Sequence, residues 1–197
     1  MAGLPRLVRV ADETRWRGQS AVATALVVAA YWGLTWLVGE PVEPVRAALA
    51  FVVVAVPTLL VISLSTGRRM REGLERTTPP PRASVHETPA SSRDRRMKLA
   101  GMVLTGIVAL LLFERFTDSG GVMAGLIAGL LAAAGVADWL EAGQWDAAER
   151  ERETRIYVMI RPDALTPRLG ASDVYETPRP GAGDSRRVEP SPFDLEI

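Results

Sequence analysis

Cysteine is absent from the 197-residue chain, which excludes disulfides, thiolate metal sites, iron–sulfur clusters and cysteine nucleophiles. His86 is the only histidine, so no histidine pair exists to hold a metal or a haem. Lys98 is the only lysine among 23 basic residues, a bias that reads as background composition rather than a device. Also missing are a Gly-x-Gly-x-x-Gly or phosphate loop, a Gly-x-Ser-x-Gly elbow, and an aromatic-basic surface suited to nucleic acid. Paired carboxylates in an apolar setting are lacking too. No cofactor or metal site is expected, and the sequence carries no motif for catalysis.

Charge is missing from four stretches in particular. Residues 21–38, 45–65, 98–113 and 121–138 hold no Asp, Glu, Lys or Arg in their middles. At about 1.5 Å rise per residue each approaches the roughly 30 Å hydrocarbon thickness of a bilayer. The expectation is an all-α integral membrane protein with four transmembrane helices, paired as two antiparallel hairpins by the short turns 39–44 and 114–120. Arg6, Arg9, Arg15 and Arg17 precede the first run as a signal peptide's basic region would. The run is long, however, and ends in Tyr31, Trp32 and Trp36 rather than at a small-residue cleavage site, so it reads as a retained anchor.

Orientation follows from arginine. The N-terminal segment 1–20 has four basic residues and the linker 66–97 is densely basic up to Lys98, whereas the turns contribute only Arg46 and Arg115. Both termini are therefore expected in the cytoplasm of a prokaryotic-type plasma membrane. Arg68, Arg69 and Arg71 after the second run, and Arg93, Arg95, Arg96 and Lys98 before the third, are expected at anionic lipid headgroups. Topology determination alone would also produce these clusters.

Helix packing is expected on small residues at every fourth position: Gly121, Gly125, Gly129, Ala133 and Ala137 in the fourth run, and Ala21, Ala25, Ala29 and Gly33 in the first. These faces would close the protein's own bundle or meet another membrane subunit, including a second copy. Pro57 should kink the second helix. Asp138, next to Trp139 and Glu141, reads as an interfacial carboxylate, and Trp139 and Trp145 as headgroup markers.

Residues 139–161 read as a charged helix extension, with Asp146–Arg150 and Glu151–Arg155 pairs, followed by a short β-favouring stretch, Ile156 to Ile160. Residues 162–197 read as a disordered tail. The tail nevertheless repeats an earlier pentapeptide: Val174-Tyr175-Glu176-Thr177-Pro178 matches Val85-His86-Glu87-Thr88-Pro89 at four positions of five. A docking peptide, a duplicated hairpin, phosphorylation sites and chance all fit this echo. The functional expectation is a non-enzymatic membrane accessory, scaffold or assembly subunit that engages a membrane or cytoplasmic partner through its cytoplasmic segments. The rival readings are a small oligomeric transporter or channel and a membrane enzyme.

Overall fold

The computed structural model describes residues 6–39, 43–81, 84–117, 119–160 and 174–178. Eight elements follow in order: β1 (Arg6–Arg9), α1 (Val10–Leu37), α2 (Pro44–Glu75), β2 (Val85–His86), α3 (Pro89–Thr117), α4 (Val122–Glu151), β3 (Thr154–Ile160) and β4 (Val174–Pro178). The protein is mostly helical, and all four helices are long and apolar enough to cross a membrane. Their outer faces carry exposed Leu26, Leu34, Leu60, Leu64, Leu104 and Phe116, side chains that water would not tolerate in such density.

α4 is the central helix. It packs along both α1 and α2, while α3 touches α1 and α4 only lightly. Glycines set the close approaches. A Cβ on Gly18 of α1 would lie 2.7 Å from the Gly135 carbonyl of α4, and one on Gly135 would lie 2.8 Å from the Gly18 carbonyl. On the opposite side, a Cβ on Gly129 would meet the Phe51 carbonyl of α2 at 2.6 Å, and Gly125 lies against Ala47 in the same way. Ala133 and Ala137 are buried as well.

The stripe drawn along α1 holds only in part. Ala25 is buried, but Ala29 is exposed and a Cβ on Gly33 would touch nothing within 4 Å. Each step of four residues turns about 40° beyond a full helical turn, so a strict four-residue stripe rotates off the contact. The buried positions of α1, including Val10, Thr14, Gly18, Ala25 and Val28, keep to the mixed three-and-four spacing that stays on one face.

The turns at the far end from the sheet are closed by backbone. The Glu43 amide donates to the Gly120 carbonyl at 3.1 Å, joining the two turns. Gly120 and Gly121 adopt φ of 62° and 91°, a left-handed pair that only glycine accepts without strain, and α4 starts immediately after them. Glu114 Oε1 accepts from the Ala124 amide at 3.3 Å and so satisfies one of the free donors of the first turn of α4. α2 runs unbroken through Pro57.

At the other end the strands form one mixed sheet in the order β2-β1-β3-β4. β1 is parallel to β2 and antiparallel to β3, with Val8 opposite Val158; β3 is antiparallel to β4, with Val158 opposite Val174. Alternation along β3 buries Ile156, Val158 and Ile160 on one face. Ile156 and Val158 pack on Val10, Ala11, Trp145 and Ala148, with Met70 and Leu74 of α2 at the margin. The apolar stretch after α4 therefore pairs with the N-terminal segment, and part of the expected disordered tail is strand β4. The rest of that tail lies outside the described residues.

Candidate functional site

The sheet unit is built from segments far apart in the chain, and arginine–carboxylate clusters lock them together. Arg95, on the first turns of α3, donates from Nη1 and Nη2 to the two oxygens of Glu13 on α1 at 2.9 and 2.7 Å. The same guanidinium donates from Nε and Nη2 to Glu87, just after β2, at 3.1 and 3.2 Å. The side chains are only 6%, 2% and 4% exposed. Arg95 is thus a buried bridge between α1, β2 and α3, and the headgroup role expected for it is corrected: two carboxylates at fork geometry hold it inside the protein. Arg68, Arg69, Arg71, Arg93 and Lys98 remain exposed, and Arg96 is half-buried.

The second cluster centres on Arg9 at the end of β1. Its guanidinium donates to Glu149 at 2.9 Å, Asp146 at 2.8 Å and Asp12 at 3.0 Å, and Arg15 also donates to Asp146. Glu149 Oε1 accepts in turn from the Ile156 amide at 3.0 Å, so one carboxylate fixes β1 and β3 to the end of α4. These contacts, led by the Glu149 hydrogen bond, raise the pKa of Arg9 above its already high ordinary value. Asp146 therefore turns to α1 instead of Arg150, and Arg155 belongs to β3, where helical pairing with Glu151 does not apply. Trp145, expected at the headgroups, is 3% exposed in the sheet core, with Nε1 donating to Glu141. Asp138 accepts both Nε and Nη2 of Arg17 at 3.2 and 3.1 Å, while Trp139 stays exposed.

The echoed pentapeptides occupy the two edges of the sheet. Val85-His86 is β2, and the Thr88 Oγ1 accepts from the Ser91 amide at 3.3 Å as a cap at the start of α3. Val174 to Pro178 is β4. Its Glu176 accepts from Thr154 at 2.6 Å and Thr77 at 2.8 Å, with Arg152 at 3.8 Å, and these groups, the Thr154 hydroxyl first, hold its carboxyl below the ordinary value. Thr78, from another Thr-Pro pair, joins β4 through backbone bonds to Val174 and Glu176. In both copies the glutamate therefore receives an arginine from a helix or its end. Glu13, Glu149 and Arg9 were visible in the sequence only as parts of charge runs; the Glu13–Arg95 and Arg9–Glu149 pairs join residues more than 80 apart, and no spacing signal announces them.

A polar cavity of about 760 Å³ opens between the sheet and the adjoining ends of α1 and α3, lined among others by Arg9, Arg15, His86, Arg96, Arg155 and Tyr157. His86 meets Tyr157 edge to face at 4.9 Å. An apolar groove of about 280 Å³ lies between α1 and α3 and shares Trp16 with the cavity. Among the described residues no three His, Asp or Glu side chains are grouped to hold a metal ion.

The chain matches no known family model, no curated protein and no solved structure.

Proposed function

We propose that the protein is a non-enzymatic accessory or scaffold subunit of the plasma membrane. Its four helices, arranged as two antiparallel pairs with α4 central, act as an anchor, and the sheet and its adjoining tail engage a protein partner on the cytoplasmic side. The observation that carries this reading is the assembly of the sheet. Strands from residues 6–9, 85–86, 154–160 and 174–178 are gathered at one end of the bundle, and two arginine–carboxylate clusters, that of Arg95 buried and that of Arg9 partly buried, hold the first three there. Such a rigid unit outside the lipid suits recognition. The β2 edge of the sheet is the one that suits an added strand, since the outer edge of β4 is bonded by the Thr78 backbone. Partner binding through the last residues, Pro192 to Ile197, belongs to the same proposal.

The transporter alternative would need a polar path through the spans, and the polar atoms there favour the anchor reading: Thr24, Thr35, Ser65 and Thr105 each donate to a carbonyl of their own helix.

Two truncations, purified in mild detergent with copurifying proteins identified, test the proposal. Ending the chain after Pro178 keeps β4 and removes the distal tail; ending it after Ile160 also removes β4. The expected result is normal membrane abundance for both, with partners lost at one of the two cuts. Retention of every partner by both would move the interaction into the spans and contradict the reading.

A further inference from the structure

We propose that the polar cavity and the apolar groove, which meet at Trp16, form a single binding site for one anionic phospholipid from the leaflet on the sheet's side. The proposal rests on the membrane-spanning reading of the helices and is independent of any protein partner.

One face of α1 and one face of α3 contribute to both spaces. On α1 the face passes along Asp12, Trp16, Ser20, Thr24 and Val27; on α3 it passes along Ser92, Arg96, Ala100, Val103 and Ile107. In each case the lining is charged or polar at the sheet end and turns apolar with depth. This is the polarity profile of a lipid, with a headgroup above and a chain below. The lengths agree as well. From Trp16 to Val27 the groove descends about 16 Å at 1.5 Å per residue, close to half of a roughly 30 Å hydrocarbon core. The light packing of α3 on α1 leaves the slot open along that depth.

The head end has donors to spare. Glu13 and Glu87 are occupied by the fork of Arg95, and Asp12 and Asp146 by Arg9 and Arg15. Arg96 reaches Glu13 only at 3.6 Å, and its Nε is buried with no hydrogen-bond partner. Its guanidinium lies 5.1 Å over the Trp16 ring, which holds the charge at the junction of the two spaces. Arg155, on the sheet wall of the cavity, is exposed and makes no ion pair among the described residues. Arg96 and Arg155 both line this cavity, and among the described residues neither has a carboxylate within hydrogen-bond distance, so two guanidiniums are placed to donate to one phosphate.

The test is native mass spectrometry of the full chain in detergent. The probes are phosphatidylglycerol, phosphatidylcholine of the same chain length, and glycerol 1-phosphate. One phosphatidylglycerol should be retained in preference to phosphatidylcholine. The double variant Arg96→Gln/Arg155→Gln should weaken that retention by about a hundredfold, as expected for loss of two charge-assisted hydrogen bonds at about tenfold each. Ala100→Trp, which fills the slot, should reduce binding of the lipid while the Arg155→Gln single variant, at an exposed and unpaired side chain, folds normally and shows part of the headgroup loss. Equal retention of the two lipids, or unchanged binding in the arginine variants, overturns the site. Glycerol 1-phosphate bound as tightly as the intact lipid overturns the lipid assignment in favour of a soluble phosphorylated compound.

Discussion

Arg95 is the residue on which the sheet end most depends. It neutralises two carboxylates that would otherwise be charged and out of water, Glu13 and Glu87, and each of the three comes from a different segment. Arg95→Met keeps much of the side-chain volume and strands both acids. Loss of one partner from a buried pair costs about 3–5 kcal/mol, so a large drop in the thermal midpoint is expected in detergent. The triple variant Glu13→Gln/Glu87→Gln/Arg95→Met should recover much of it, because no buried charge is then left alone. Glu176 supplies a pH-dependent counterpart. Its carboxyl is held below the ordinary value by the hydroxyls of Thr154 and Thr77 and by Arg152. A depressed carboxyl stabilises the fold at pH above its unfolded value, and that contribution is lost as the pH falls through the folded value. The stability gap between the native chain and Glu176→Gln, followed by thermal unfolding, should therefore be widest near neutral pH and narrow on acidification. None of these roles was legible in the sequence, since Glu13 and Arg95 each sit in a mixed charge run that also serves topology and Glu87 stood out only as part of the echoed pentapeptide. Glu176 was flagged only as part of a repeat.

Helices were readable as elements because an apolar run near 20 residues without a central charge has few other uses. Their ends were harder to place. α1 starts at Val10, so much of the expected N-terminal segment is helix, whereas α4 runs on to Glu151 as a charged extension of the kind expected from residue 139 onward. The sheet was only glimpsed, as the apolar run before Arg161, because β1 and β2 are four and two residues long and gain meaning only from pairing at long range. Small residues pointed to close packing, yet Gly18, which meets Gly135 backbone to backbone, falls outside the apolar run of its helix. Gly135→Leu should push α1 away from α4, and Gly129→Leu should do the same to α2, because the obstructing atoms are carbonyls that cannot rotate aside. Each is expected to destabilise by at least about 1–3 kcal/mol, the usual cost of overpacking. Leu130→Ala, at a 51% exposed position on the same helix, should have little effect. Thermal unfolding of the three variants in one detergent compares them directly.

The molecule as a whole joins two halves: four helices of membrane length, and a sheet that draws the N-terminal segment, the linker and the chain beyond α4 to one end of them. If the helices cross the bilayer, all four strands must lie on the same side of it, and the turns joining α1 to α2 and α3 to α4 must lie on the other. The central role of α4, packed on both α1 and α2, ties the two halves into one unit. Because the chain has no cysteine, one introduced thiol reports on its position without background. The decisive measurement is labelling of single-cysteine variants in intact cells with a membrane-impermeant maleimide, repeated after lysis. Ser119→Cys, at the turn before α4, should react in intact cells. Ser84→Cys beside β2 and Glu153→Cys beside β3 should react only after lysis. Labelling of Ser84→Cys and Glu153→Cys on opposite sides of the membrane would contradict the shared sheet, and labelling of both in intact cells with Ser119→Cys protected would reverse the cytoplasmic assignment.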